Sequence, residues 1–261
     1  MIAAIIQARM TSTRLQGKVL KEVMGKPLLS YLVERLHYCR SFDKIILATT
    51  VNKDDDPIVS FAKREGLLFY RGSEHDVLDR YYQAASQFNI KHVIRITSDC
   101  PLIDPQICDY VVEGYLKSNV DLTHTGPTFA EGVDCEIFSF NALERAWKEA
   151  ALKSEREHVT VYFHNHPELF KKVTLVNKTV DDKYRFTVDE YEDFIVVKAI
   201  IEKLYRKESL FTTAEIKSFL DENPYIFKIN SHIIRNEGLL ISIREDNAVT
   251  DTSACSEKSL I

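Results

Sequence analysis

The sequence predicts an α/β fold, a mainly parallel sheet flanked by helices, on three observations. Short apolar runs alternate with amphipathic stretches through the first half of the chain. The runs are bounded by polar breaks, as buried strands are. The stretches between them carry their apolar residues on one face, as the crossover helices of a parallel sheet do. Strand, loop, helix, repeated, is the pattern that places helices on both faces of such a sheet.

In order, residues 2–6 read as a buried strand, followed by a loop unusually rich in cations. Pro27 suits a first helical turn, and Leu28, Tyr31, Leu32 and Leu36 then share a face, predicting a helix over 28–38. A strand over 44–48 leads to "DDD" at positions 54–56, just before Pro57. Three carboxylates there favour the positive end of a helix over 57–64 rather than a metal site. Strands over 67–70 and 92–96 alternate with helices over 76–87 and 105–117. The pattern becomes less regular after Val120, where a strand over 134–138 precedes helices over 141–152 and 155–164. Short strands over 171–176 and 184–188 and helices over 191–205 and 213–222 complete the chain. With no linker rich in Pro, Gly or Ser and no internal repeat, residues 1–245 form one domain. Within it 120–176 is a mixed α/β subregion, and the polar residues 246–261 are expected to fray.

Composition excludes several function classes. The 261 residues carry a net charge of −5, against the basic surface that a nucleic-acid binder needs. Five cysteines are odd in number, scattered and free of any C-x-x-C pair, which fits neither a disulfide framework nor a zinc site and points to a reducing cytoplasm. No segment approaches the roughly 20 apolar residues of a membrane span. The first apolar run is too short for a signal peptide, and its basic residues follow rather than precede it.

Against this acidic background the stretch "IIQARMTSTRLQGKVL" places Arg9, Arg14 and Lys18, with Gly17, in the loop after the first strand. Such donors suit a polyphosphate, although neither G-x-x-x-x-G-K-[ST] nor G-x-G-x-x-G is present. The same cations would suit a solvated loop, but ligands of parallel sheets bind outside the strands' carboxyl ends, where this loop lies. In "RITSDCPLID", Asp99 stands at the carboxyl end of another strand. A carboxylate beside a polyphosphate suits Mg²⁺, and the competing role is a turn or helix cap. Asp189 in "YRFTVDEYEDF" precedes a helix, with Glu192 placed to complete a capping box. Capping does not preclude metal binding, since a carboxylate has two oxygens.

These residues carry a resemblance. "IIQARMTSTRLQGKVL", "GSEHDVLDRYYQAA", "RITSDCPLID", "EGVDCEIFS", "SEREHVTVYF" and "RFTVDEYEDF" resemble, in order, the motifs of the cytidylyltransferases that make CMP-activated acid sugars. The similarity is strongest to the branch associated with spore-coat polysaccharide biosynthesis. The resemblance implies a GT-A-like (Rossmann-like) fold whose first loop wraps the triphosphate of CTP. It implies nucleotide binding by Gln7, Ala8, Arg9, Met10, Arg14, Lys18, Arg71 and Asp99, with Arg71 at the base. It also implies catalytic roles for Arg14, Lys18 and Asp99, and Mg²⁺ held by Asp99 and Asp189. One departure is Gln16, where the family usually has proline; the cations and Gly17 remain.

Asp134 and Glu136, two apart in a strand, share a face, and Glu131 lies just before them. Arg156, Glu157 and His158 fall near the start of a helix. Each suits an exposed charge or a structural pair; together they resemble the acceptor-binding residues of the branch. In that role Arg156 would hold a carboxylate or phosphate, and His158 or a carboxylate would position the attacking hydroxyl. His75, His92, His124, His164, His166 and His232 are expected to be structural or superficial. The implied activity is Mg²⁺-dependent transfer of CMP from CTP to a sugar or sugar-like acceptor with release of pyrophosphate, in surface polysaccharide or glycan biosynthesis. A glycosyltransferase on a related fold is the alternative, but its usual D-x-D pair here reads "SDC". A non-catalytic nucleotide-binding protein is a third reading. Related synthetases are commonly dimers, and the short strands of 120–176 suggest a homodimer built from that region, near the acceptor pocket.

Overall fold

The computed structural model describes residues 1–257, with side chains described to residue 248. β1 (Ile2–Gln7) leads through a long loop and a 3-10 turn to a small hairpin of β2 (Glu22–Val23) and β3 (Lys26–Pro27), then α1 (Leu28–Leu36). β4 (Lys44–Thr50), α2 (Asp56–Arg64), β5 (Leu68–Gly72), α3 (Val77–Gln87), β6 (His92–Thr97) and α4 (Pro105–Lys117) continue the alternation. β7 (Leu122–Thr125), β8 (Glu136–Ser139), α5 (Phe140–Glu149), α6 (Lys153–His158), α7 (Val161–Asn165) and β9 (Lys172–Leu175) follow. The chain ends in α8 (Tyr191–Leu204), α9 (Thr213–Glu222), α10 (Pro224–Asn230) and α11 (Glu237–Glu257).

Seven strands form one sheet in the order β5-β4-β1-β6-β8-β7-β9. β5, β4, β1 and β6 are parallel, and β8 alone is antiparallel to its neighbours. Alternation along β1 sorts side chains to two faces. Ala4 and Ile6 pack with Leu29 and Leu32 of α1, Phe61 of α2 and Val111 of α4. Ala3 and Ile5 face Leu78 and Tyr81 of α3 and Leu143 of α5. A third cluster joins Val188, Val196 and Ile200 to Ile216, Leu220 and Ile226, docking α8–α10 beside the sheet. The predicted α/β architecture is therefore present, with helices on both faces.

The departures lie where local pattern is weak. β7 is the Leu-Thr-His-Thr segment, whose polar residues hide a strand that the sheet buries between β8 and β9. The strands of 120–176 therefore extend the main sheet instead of standing outside it. The helix expected over 155–164 breaks at Val159, where φ is +56°, into α6 and α7. Residues 184–188 are extended but form only an isolated bridge, Glu131 to Arg185. Their main chain is held by Phe186 N–H to the Glu131 carbonyl (2.7 Å) and Val188 N–H to the Asp99 carbonyl (2.7 Å). α10 and α11 have no counterpart in the sequence reading. The polar end expected to fray from 246 is helical through Glu257; 258–261 lie outside the described residues.

Candidate active site

β1 and β6 end side by side, Gln7 opposite Thr97, and the loops that leave them form one wall of a cleft. The first loop is fixed at two points. The Met10 N–H donates to Asp55 Oδ1 at 2.6 Å, and Asp55, fully buried, also accepts from the Thr50 hydroxyl. Gly17, at φ +66°, returns the chain so that its N–H reaches the Met10 carbonyl at 3.0 Å. That left-handed turn suits glycine. It delivers Lys18 beneath the cleft.

Lys18 Nζ lies 2.9 Å from Asp189 Oδ1 and 3.3 Å from Asp99 Oδ2. Burial alone would lower the Lys18 pKa, but the two carboxylates outweigh it and the net displacement is upward. Burial would likewise raise Asp99, yet Lys18 and the Thr97 hydroxyl hold it below the ordinary carboxylate value. Arg14 reaches Asp189 at 3.0 Å, Glu237 at 3.1 Å and Glu190 at 3.4 Å. Asp189 is not the helix cap that its position suggested. Glu190 precedes α8, and Asp193 Oδ2 accepts from the N–H groups of Asp189 and Glu190. Asp99 is not the cap of α4 either: Asp104 accepts from Gln106 N–H at 2.9 Å. Both carboxylates are thereby left facing the cleft.

The cleft holds two adjoining cavities. One, about 470 Å³, is lined by Gln7, Ala8, Arg9, Arg14, Lys18 and Asp99, among others. Arg9 lies 3.8 Å from Glu74. Met10 is absent from this lining, serving the loop through its main chain. Arg71 is absent from this lining as well. Its guanidinium is held by the Thr50 and Asn52 carbonyls at 2.8 and 2.7 Å and by Asp56 at 2.8 Å. The second cavity, about 340 Å³, shares Arg14, Asp99, Asp189 and His158 and adds Glu131, Asp134 and Glu136. The three middle carboxylates thus converge as expected. Glu157 lines the first cavity, and His158 lines both, its Nε2 2.9 Å from Ser242 Oγ. Arg156 does not converge with them. It grips Asp76, the cap of α3, and donates to the Trp147 carbonyl at 2.7 Å, a pairing between helices that sequence spacing does not reveal.

Four contributions escaped the sequence reading. Asp55 anchors the first loop from inside the "DDD" run. Arg80 of α3 lies in the first cavity's lining although only 2% exposed, and its Nε has no hydrogen-bond partner. Arg185 joins Asp193 (2.8 Å), Glu131 and Asp189 (2.9 Å), fastening the 131 and 185–193 segments together. Gly132, at φ +98°, allows this approach: a Cβ there would lie 2.5 Å from Thr187 N. Finally, α11 covers the cleft with Gly238, Ile241, Ser242 and Glu245. Of these, Arg80 had a signal, an arginine amid the apolar positions Val77, Leu78, Tyr81 and Ala84. A larger cavity of about 620 Å³, near Lys26 and Glu34, lies away from the strand ends and from these groups.

Comparison with known proteins agrees with this geometry. Residues 3–223 match the family described as Cytidylyltransferase. The chain belongs to the cytidylyltransferase family. It is 32% identical over 232 residues to the spore coat polysaccharide biosynthesis protein SpsF of Bacillus subtilis, covering 85% of this chain and 95% of that protein. A solved cytidylyltransferase from Leptospira borgpetersenii is 35% identical, with a TM-score of 0.82, over 87% of this chain and 96% of that one. A 3-deoxy-manno-octulosonate cytidylyltransferase from Nitratidesulfovibrio vulgaris is 32% identical over 121 residues, 44% of this chain and 46% of that protein. The cytidylyltransferase is thus a nucleotidyltransferase enzyme, and the glycosyltransferase and non-catalytic readings give way to it. Among the described residues no helix is long and apolar enough to cross a membrane.

Proposed function

We propose that this cytidylyltransferase transfers CMP from CTP to a hydroxyl of a sugar-like acceptor in a Mg²⁺-dependent reaction. The acceptor oxygen bonds to the α-phosphorus, the bond to the bridging oxygen breaks, and pyrophosphate leaves. The hydroxyl proton passes to the carboxylate-lined wall. The observation that carries this reading is Lys18 set between Asp99 and Asp189 at the meeting point of the two cavities. Lys18, with Arg14 and Arg9, would take up charge on the triphosphate, chemistry that depends mainly on positioning and neutralisation.

The donor set fits magnesium. Two carboxylates converge on one cation, and Mg²⁺ takes one or two carboxylates, its other positions filled by phosphate oxygens and water. Asp99 and Asp189 would hold the ion, which when bound supplies further neutralisation of the phosphates. Similarity to SpsF supports a place in surface polysaccharide biosynthesis. Among the described side chains, Cys39, Cys100, Cys108 and Cys135 are free thiols, which supports a cytoplasmic location. Pyrophosphate release by the purified protein with each nucleoside triphosphate, with and without Mg²⁺ and acceptor, tests the reading. Release should require CTP, Mg²⁺ and acceptor together; equal rates with ATP, GTP or UTP would overturn it.

A further inference from the structure

The segment that carries Asp189 has no strand ladder behind it. Residues 184–188 are extended, but they make an isolated bridge, and their main chain is tied at Phe186 and Val188. Alternation buries Tyr184, Phe186 and Val188 in the third core cluster and sends Arg185, Thr187 and Asp189 to the other side. Four residues of extended chain span roughly 13 Å. Arg185 and Asp189 meet at 2.9 Å because the chain turns at the start of α8. Asp193 Oδ2 makes that turn by accepting from the N–H groups of Asp189 and Glu190 at 2.9 and 3.0 Å.

The same Asp193 sets the guanidinium. Arg185 lays Nε and Nη2 on its two oxygens at 2.8 and 3.0 Å, a fork that fixes the plane of the group. Asp193 is fully buried, and Asn230 of α10 donates to its Oδ1 at 2.9 Å. With the plane fixed, Nη1 meets Glu131 Oε2 and Nη2 meets Asp189 Oδ2 at 2.9 Å.

The two oxygens of Asp189 are thereby divided. Oδ1 faces the cleft, 2.9 Å from Lys18 Nζ and 3.0 Å from Arg14. Oδ2 is held by Arg185, whose own charge is already matched by Asp193 and Glu131. Asp99 has a different support. It stands two residues past β6, beside the Thr97 hydroxyl, and its Oδ1 accepts from the Cys100 thiol at 3.5 Å. Without Arg185, Oδ2 of Asp189 could turn toward Lys18 and Arg14, and side-chain cations would occupy both oxygens.

Resting on the Mg²⁺-dependent reading above, we infer that Arg185 is a positioning residue for Asp189. It holds Oδ2 toward the buried Arg185–Asp193–Glu131 group and leaves Oδ1 on the side of the cleft that Asp99 shares. Hydrogen-bond partners of this kind orient metal-ligating carboxylates, and their loss costs about ten- to a hundredfold in metal affinity.

The test measures CTP binding to the full chain by calorimetry without acceptor, once with Mg²⁺ and once with EDTA. The ratio of the two affinities reports how well the carboxylates hold the ion. Wild-type protein should bind CTP at least about tenfold more tightly with Mg²⁺. Arg185→Lys keeps the charge, but one ammonium cannot reproduce the planar fork. With its fold confirmed by thermal unfolding, its ratio should fall at least about fivefold while its affinity in EDTA stays within about twofold of wild type. An unchanged ratio, or an equal loss with and without Mg²⁺ as a merely structural role would give, overturns the inference. Adding Arg185→Lys to Asp189→Asn should lower the ratio no further, because the ligand that Arg185 positions is then gone. A further fall means that Arg185 acts elsewhere. Should Arg185→Lys not fold, Asp193→Asn gives the same readout, since it breaks the fork but keeps an oxygen for the Asp189 and Glu190 N–H groups. Its ratio should fall as well, and an unchanged one overturns the inference. A wild-type ratio near one, or a wild-type ratio in Asp189→Asn, strikes the Mg²⁺ reading and the inference with it. A fall in Asp189→Asn with none in Arg185→Lys strikes the role of Arg185 alone.

Discussion

Lys18 and Asp189, 171 residues apart in the chain, meet at 2.9 Å, and Asp99 approaches the same ammonium at 3.3 Å. Three segments thereby share one charged centre: the loop after β1, the end of β6 and the approach to α8. Lys18→Ala should lower turnover at least about tenfold, the equivalent of about 1.4 kcal/mol of transition-state stabilisation. Near-normal pyrophosphate release by a folded Lys18→Ala protein would remove Lys18 from the chemistry.

Asp99→Asn and Asp189→Asn should each raise the Mg²⁺ concentration needed for half-maximal activity while keeping the fold. Asparagine preserves size and hydrogen-bonding capacity but removes the charge that a hard cation requires. If both variants follow the wild-type Mg²⁺ curve, the two-carboxylate site is wrong.

Asp55 is a buried support of the nucleotide loop. Asp55→Ala strands the Met10 N–H and the Thr50 hydroxyl. The expected loss is about 1–3 kcal/mol of stability, read by urea denaturation, together with weaker CTP binding because Arg9 and Arg14 sit on the released loop. A stable variant with unchanged CTP affinity would show that the anchor is dispensable.

What the sequence made legible follows from the range of the forces involved. The strands β1, β4 and β6 are largely buried apolar runs, β5 is a half-exposed one at the sheet's edge, and the helices between them show one apolar face, so local pattern sufficed. Arg14 and Lys18 lie in the loop that leaves β1 and Asp99 just past β6, where topology directs attention, while Asp189 follows a short β-like run that forms only an isolated bridge. β7 was hidden because Thr123 and Thr125 become buried only when β8 and β9 flank them. Arg71 and Arg156 stand outside the two cavity linings for a related reason. Both are cations near the site whose partners, Asp56 and Asp76, become apparent only in three dimensions. α11 is held by distant contacts, among them Arg14 to Glu237, Lys153 to Glu245 at 2.7 Å and His158 to Ser242.

The α6–α11 contact carries a pH dependence. Burial lowers the His158 pKa, and Arg95 adds to this, while Glu157 and Asp246 oppose it. A histidine whose folded pKa is depressed binds fewer protons folded than unfolded, so stability rises with pH. Its contribution is complete above the unfolded value of about 6.5 and is lost as pH falls through the lower folded value. The thermal midpoint should therefore fall between pH 7 and pH 5, and fall less in His158→Gln, which retains a polar partner for Ser242. Identical pH profiles for the two proteins would exclude His158 as the source.

β9 supplies the argument for assembly. It pairs with β7 at the end of the sheet, and among the described residues no strand lies on its other side. Val176, just past it, is 64% exposed. An open strand edge invites pairing with another chain unless it is covered, and a twofold axis covers it symmetrically. A homodimer built from residues 120–176 would shield this edge and bring a partner close to the carboxylate-lined chamber, since β7 and β8 contribute His124 and Glu136 to its wall. Helices α5 to α7 pack on the sheet's face, through Leu143 and Phe163, and leave the edge itself to β9. Light scattering at micromolar concentration should give twice the 30.1 kDa mass of the chain. Val176→Lys, placing a charge beside the edge, should shift the mass toward the monomer without unfolding the protein. A wild-type mass near that of one chain sinks the dimer.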